Sequence, residues 1–128
     1  MAWHQRHRWR LLKARLALAD GRRDLAAELA AVVARDASSR GARRYELIAT
    51  AVGALAGGAP AADLAALDEV VSALGVCAAL DGWPLVHALG RQFDVARWRE
   101  QARASAQVIV RTAPSSAAAS AFAERQLG

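Results

Sequence analysis

The chain has little of several residue types, and each shortage excludes a class of structure. It contains one cysteine, Cys77, so no disulfide can form within it, which fits a reducing compartment. The first 20 residues are charged rather than apolar, so they do not resemble a signal peptide. The longest uncharged run, 47–62, is broken by glycines and a proline and is short for a membrane span. We therefore expect a soluble, cytoplasmic protein.

Aromatic residues are also scarce, at 5% of the chain, although hydrophobic residues make up 55%. Alanine supplies most of that apolar content, and alanine has the highest intrinsic helix propensity. Helical spacing recurs along the chain, whereas no segment sustains an alternation of apolar and polar residues. The sequence predicts a single all-α domain of 128 residues with a core of small side chains.

The helices are expected to form three hairpins, at about 4–36, 42–74 and 83–111, followed by a terminal helix at about 116–127. Gly21 and Gly57 are predicted to end helices, because glycine adopts the left-handed conformation of a helix C-cap. Pro84 fits the first turn of the fifth helix, where its missing N–H costs nothing. The first helix has two apolar stripes, which predicts burial on more than one side. The stripes are Trp9, Leu12, Leu16 and Ala19, and beside them Leu11, Ala14 and Leu18.

An internal repeat relates the first two hairpins. At an offset of 36, Trp9 falls on Tyr45 and Gly21 falls on Gly57. At an offset of 38, the residues Leu29, Val32 and Val33 fall on Leu67, Val70 and Val71. A period in the mid-thirties with two helices per unit indicates a helical solenoid, which we expect to be right-handed.

The turn of the first hairpin resembles that of a tetratricopeptide repeat, because Gly21, Ala26 and Ala30 stand where that family has its turn glycine and two small residues. Gly90 and Ala96 match the same places loosely, and Trp9 or Tyr45 matches the family's aromatic only approximately. The segment 90–96, followed by a long helix, a break at Pro114 and Phe122, also resembles the C-terminal repeat region of bacterial multidomain regulators of the ATPase, cyclase or LuxR type. The resemblance implies a fold and an interaction role rather than an activity.

No constellation predicts catalysis or a cofactor. His4 and His7 share a helix face, but no third ligand completes a metal site, so a frayed, solvated N-terminus is the better interpretation. His87 is expected to be a half-buried packing residue. Cys77 lacks a nearby basic partner and is interpreted as a structural thiol. The glycines at 57–58 do not form a phosphate loop.

In the tetratricopeptide register, the first helix of each hairpin lines a concave groove. The side chains expected to face it are Arg8, Leu11, Arg15, Leu18, Arg44 and Leu47. Guanidinium groups at these places can hold carboxylates or phosphates in bidentate fashion. The sequence therefore predicts a non-catalytic scaffold or regulatory module that binds a peptide or partner domain, while a merely solvated charged face remains an equal alternative.

Nucleic-acid binding is the strongest rival, because residues 1–50 carry a net charge of +6, from 11 basic and 5 acidic residues. The side chains available for phosphates and bases are Arg6, Arg8, Arg10, Arg43 and Arg44, with Trp3, Trp9 and Tyr45. Against this interpretation, Trp9 and Tyr45 are expected in the core. Self-association is a further expectation: no helix covers Trp3 and Trp9, so this end either forms a homodimer or continues into a preceding repeat of a longer protein.

Overall fold

Six α-helices make up most of the part of the chain that the structure describes. The structure is a computed structural model, and it describes residues 2–58, 63–112 and 125. The helices are α1 (Trp3–Ala19), α2 (Arg23–Ser39), α3 (Arg43–Leu55), α4 (Leu64–Cys77), α5 (Ala79–Gln92) and α6 (Ala96–Thr112). Within these described ranges no residue is in a strand, so the predicted all-α class is confirmed.

The chain divides into two units, Met1–Ala73 and Leu74–Gly128, and the division falls within α4. In the first unit, α1 packs antiparallel to α2 and α2 to α3, and α1 also contacts α3. In the second unit, α5 and α6 form an antiparallel hairpin. This sequential packing is consistent with the predicted hairpin arrangement.

Three turns of the first unit share one geometry. Gly21, Gly41 and Gly57 have φ values of +76°, +67° and +81°. After α1, the N–H of Arg22 donates to the carbonyl of Ala17 at 2.8 Å, and the N–H of Gly21 donates to that of Leu18 at 3.1 Å. This pair of bonds is the Schellman motif, which satisfies the last carbonyls of a helix and needs a residue with positive φ. Glycine at these places therefore sets where α1, α2 and α3 end.

Alanine forms much of the core of the first unit. Ala14, Ala26 and Ala37 have no exposed surface. Ala17, Ala26 and Ala56 pack together as one cluster, against which Leu18 and Leu25 lie partly buried. Because alanine ends at Cβ, the helices approach closely, and the first unit is built as the composition predicts.

The core of the second unit contains two buried indole rings. Trp98 is 1% exposed and Trp83 is 4% exposed. Trp83 packs on Ala106, with Ile109 and Val110 partly buried beside it. Leucine and valine side chains fill much of both cores, so the second unit differs in that it also buries two indole rings.

The structure corrects the prediction that both apolar stripes of the first helix are buried. The stripe that packs inside the first unit is the one with Leu11 and Ala14, which are 5% and 0% exposed. The other stripe faces solvent, with Trp9 53%, Leu12 49% and Leu16 58% exposed. The small side chain of Ala14 allows α2 and α3 to approach α1, whereas bulky side chains on the other stripe would hold them apart.

The fifth helix begins earlier than the sequence predicts. It starts at Ala79, which places Pro84 inside it rather than in its first turn. A proline there removes the N–H that would pair with the carbonyl of Leu80. Leu80 is 66% exposed, so water can reach that part of the chain and the loss is tolerated. The predicted terminal helix at 116–127 lies outside the described residues, except for Arg125, as does the predicted start of the fourth helix at 61.

Candidate functional site

The six side chains predicted to line a groove do not share one surface. Leu11 and Leu47 are 5% and 1% exposed and belong to the core of the first unit. Leu18 is partly buried against the alanine cluster of α1, α2 and the end of α3. Only the three arginines, Arg8, Arg15 and Arg44, are exposed. The apolar members of the set therefore stabilise the fold, and burial leaves Leu11 and Leu47 little surface to offer a partner.

Trp9, Leu12 and Leu16 form the stripe of α1 that faces solvent, and we call this stripe the outer face of α1. It exposes more apolar surface than the stripe of Leu11 and Ala14, which is buried. The outer-face residues are three and four residues apart, which places them on one side of a helix with 3.6 residues per turn. Leu11 and Ala14 lie on the opposite side, where they are buried. Gln5 and Arg8 line a shallow depression together with Trp9 and Leu12. An amphipathic helix normally has one apolar side, and α1 has two.

Basic side chains border the outer face of α1 along both edges. At about 100° per residue, Arg8 and Arg15 follow one edge, and Arg6 and Lys13 follow the other. All four are exposed, and α1 contains no aspartate or glutamate. The ammonium nitrogen of Lys13 lies 5.3 Å from the centroid of the Trp9 ring, within the range of a cation–π contact. The result is an apolar strip between two rows of positive charge.

His7 anchors the opposite side of α1 and corrects the prediction of a frayed N-terminus. It is 0% exposed, and its Nε2 lies 2.7 Å from Oδ2 of Asp36 on α2. The Nε of Arg40 donates to the same oxygen at 2.9 Å. The ring of His7 also packs edge-on against the rings of Trp3 and Tyr45, with ring centroids 5.4 Å apart in both pairs. The cluster of these five side chains ties the start of α1 to the end of α2 and the start of α3.

The electrostatics of this cluster favour an ionised Asp36. The hydrogen bond from Arg40 and then the one from His7 lower the pKa of its carboxyl group. The remaining ring nitrogen of His7, Nδ1, is buried without a hydrogen-bond partner. The sequence signal for burial was the position of His7 on the stripe of Leu11 and Ala14, four and seven residues before them. Its partner, 29 residues away, carried no such signal.

The other residues named as candidates from the sequence differ in their exposure. His87 is 4% exposed, so it is more deeply buried than the sequence predicts. Cys77 is exposed, which corrects its interpretation as a structural thiol. Tyr45 is partly buried, whereas Trp9, also expected in the core, is exposed. In the described part of the chain, no three histidine, cysteine or acidic side chains come together as a metal site, and no helix is long and apolar enough to cross a membrane.

No family model matches the chain, and neither the curated proteins nor the solved structures give a match.

Proposed function

We propose that the protein is a non-catalytic interaction module, and that the outer face of α1 binds an acidic amphipathic helix of a partner protein. The observation that carries the proposal is the exposure of Trp9, Leu12 and Leu16, each about half exposed, on the side of α1 that faces away from the core. Tryptophan and leucine in a stripe of this spacing are typical of the helix-to-helix contacts that bind an amphipathic segment. Contiguous apolar surface of this kind commonly marks an interaction site.

The charges around the stripe select the chemistry of the partner. Two rows of basic side chains without an acidic one attract a helix whose apolar stripe is flanked by glutamate or aspartate. A second copy of this chain is a poor occupant, because a symmetric contact would place the same basic rows against each other. We therefore commit to an acidic partner, and the homodimer through the N-terminal end becomes an outcome of the test.

A tetratricopeptide-like, right-handed stack remains our proposal for the finer architecture. Two features of the first hairpin support it, the positive φ of Gly21 and the burial of Ala26 and Ala30, which are 0% and 1% exposed. In such a stack a partner can also bind on the groove side. The exposed stripe is the better site here, because Leu11 and Leu47 of the proposed groove are buried.

A pair of synthetic helical peptides tests the proposal directly. Both have the same leucine stripe, one with glutamate flanks and one with lysine flanks, and binding is measured by fluorescence anisotropy. The glutamate peptide is expected to bind and the lysine peptide to bind at least tenfold more weakly, because charge complementarity adds roughly 1.4 kcal/mol or more. Replacing Leu12 and Leu16 by serine removes about 2 kcal/mol of apolar contact, which weakens the glutamate complex about thirtyfold.

The matched control is Leu80→Ser, which removes an exposed leucine of the second unit and leaves the affinity unchanged. Equal binding of the two peptides contradicts the proposed charge selection. An unchanged affinity of the Leu12→Ser/Leu16→Ser variant contradicts the proposed face. A dimer of the unaltered chain in light scattering that this variant abolishes assigns the face to a second copy instead.

Nucleic-acid binding stays as a second candidate because of one observation, the exposure of Trp9 among basic side chains. An exposed indole ring beside Arg8 and Lys13 could stack on a base while the cations contact phosphates. In the structure, the Lys13 ammonium group already occupies a position over that ring. A single-stranded oligonucleotide separates the two candidates, since its binding falls steeply with salt, whereas a leucine-anchored peptide complex weakens less.

A further inference from the structure

The outer face of α1 ends in a polar side chain on its centre line. At about 100° per residue, Gln5 lies in line with Trp9 and Leu16, one turn before Trp9, so it continues the stripe toward the start of α1. The polar side chains along the edges of the stripe are cations. On the centre line the polar group is an amide, which both donates and accepts hydrogen bonds.

Gln5 and Arg8 meet the apolar side chains of the outer face in one depression. The depression is lined by Gln5, Arg8, Trp9 and Leu12, has a volume of about 460 Å³ and is open to solvent. This volume falls within the range of roughly 300–1,000 Å³ that is typical of ligand pockets. Gln5 and Arg8 are both exposed, and neither has a hydrogen bond or ion pair with another described residue. The depression therefore joins an apolar wall to two groups that can bind a carboxylate.

The start of α1 favours a negative charge at this end of the stripe. The first turn contains no acidic residue, and Ala2 supplies no side-chain cap. The positive end of the helix dipole and the charge of Arg8 therefore act in the same direction. The C-terminus of a helix carries the opposite partial charge, so an acidic partner helix is expected to lie antiparallel to α1, with its C-terminus at the depression.

We propose that the depression binds the C-terminal residue of the partner helix, with its α-carboxylate held by Arg8 and Gln5 and its apolar side chain against Trp9 and Leu12. This inference rests on the proposed function and names the end of the partner that the outer face of α1 recognises. Glutamates that flank the partner's stripe reach the basic rows at the edges. The centre line faces the partner's own leucine stripe, where such a helix presents a carboxylate only at its C-terminus. The guanidinium group of Arg8 can donate two hydrogen bonds to that carboxylate, and the amide of Gln5 can donate a third.

Three glutamate-flanked helical peptides with the same leucine stripe test this inference on the full chain. The first ends in leucine with a free carboxylate, the second is its C-terminal amide, and in the third a glycine–serine extension displaces the carboxylate. Fluorescence anisotropy is expected to show that the first binds about tenfold more tightly than the other two, the effect of one charge-assisted hydrogen bond. The extended peptide keeps the net charge of the first, so it separates recognition of the terminus from the effect of total charge.

Two variants locate the bound terminus. Arg8→Gln removes a donor and Gln5→Glu introduces a repelling carboxylate, so each is expected to reduce the tenfold preference to about twofold or less. Arg15→Gln is the matched control, because it removes the same charge from the same edge of the stripe, two turns further along α1. It should weaken all three peptides alike and leave the preference unchanged. Circular dichroism verifies that each variant is folded.

The outcomes separate this inference from the proposed function. Equal affinities of the three peptides, or an undiminished preference in both Arg8→Gln and Gln5→Glu, would overturn the inference and leave the outer face of α1 as a binding surface. Failure of all three peptides to bind would contradict the proposed function and this inference with it.

Discussion

His7 in the first unit and His87 in the second are both buried, and the charges beside them have opposite signs. His7 lies against the carboxylate of Asp36, which Arg40 holds in place. Burial, and after it the positive charges of Arg91, Arg103 and Arg99, lower the pKa of His87. His7 joins two helices through its hydrogen bond with Asp36, whereas burial and the positive charges that act on His87 favour its neutral form. Burial alone therefore does not assign a role to a histidine.

The exposure of the tryptophans also differs between the two units. Trp9 is 53% exposed in the first unit, whereas Trp98 is 1% exposed in the second. In the first unit, Trp3 is partly buried against His7 and Tyr45 while Trp9 faces solvent, whereas the second unit buries both of its indole rings.

The largest expected effect is on the free energy of unfolding, when a buried and an exposed tryptophan are each replaced by alanine. Trp98→Ala should reduce the free energy of unfolding by about 3–5 kcal/mol, because it removes a fully buried ring and leaves a cavity. Trp9→Ala should change it by less than about 0.5 kcal/mol, since an exposed side chain contributes little. Urea denaturation followed by circular dichroism measures both. Comparable losses in the two variants would show that Trp9 packs in a core.

The sequence predicts the six described helices and the glycine turns of the first unit because their signals are local. Gly21 and Gly57 end helices through their own backbone freedom, and the apolar spacing defines each helix without reference to its neighbours. The orientation of α1 could not be predicted in this way. Both of its stripes are apolar, and the choice between Trp9 and Leu11 for the interior depends on the shape of α2 and α3.

For the same reason, the sequence predicts only part of the candidate site. The basic residues of α1 are evident in the sequence, and Arg8 and Arg15 are exposed as a partner site requires. The assignment of Leu11 and Leu47 to a surface rested on a repeat register, and packing within the first unit buries both. His7 was missed because its partner Asp36 is brought to it by the antiparallel packing of α1 and α2.

The next prediction sharpens the comparison of the two histidines by removing a neighbouring charge from each. Asp36→Asn should lower the melting temperature, because it weakens the hydrogen bonds to a buried imidazole and to Arg40. Arg91→Gln should leave the melting temperature unchanged or raise it, since it removes an exposed positive charge that disfavours the protonated form of His87. Differential scanning calorimetry compares them. A decrease of equal size in both variants would contradict the opposite roles.

Lowering the pH should reduce the stability of the protein in two steps, one through His87 and one through Asp36. The pKa of His87 is lowered in the folded state, so the unfolded chain binds the proton first and stability falls as the pH drops below about 6.5. The pKa of Asp36 is also lowered, and its contribution is complete above about 3.9 and is lost as the pH falls through its folded-state pKa. Melting temperatures from pH 8 to pH 3 should show both declines.

The matched variants for this experiment are His87→Gln and Asp36→Asn. The first should reduce the decline that begins near neutral pH, and the second should reduce only the decline in strong acid. A profile of His87→Gln that parallels the unaltered chain between pH 7 and pH 5 would contradict the account of His87.

The smallest expected effect concerns the turns, where the units again differ. Gly21 has φ of +76° with open space around its Cβ position, so Gly21→Ala should cost only the backbone strain, about 1 kcal/mol. The turn between α5 and α6 uses Asp94 at φ of +55°. Asp94→Gly relieves strain but loses the contact with Arg99, so its net effect should be smaller. A loss in Asp94→Gly larger than in Gly21→Ala would show that the Arg99 pair dominates that turn.

The central claim is that the outer face of α1 is the binding surface, and the indole N–H resonances of the four tryptophans test it most directly. The full chain, labelled with ¹⁵N, is titrated with the glutamate-flanked peptide, and Trp9 is assigned by its loss in Trp9→Phe. The account predicts that the Trp9 resonance shifts with saturation while those of Trp83 and Trp98 stay in place. Saturable shifts of Trp83 or Trp98 with an unmoved Trp9 would contradict it.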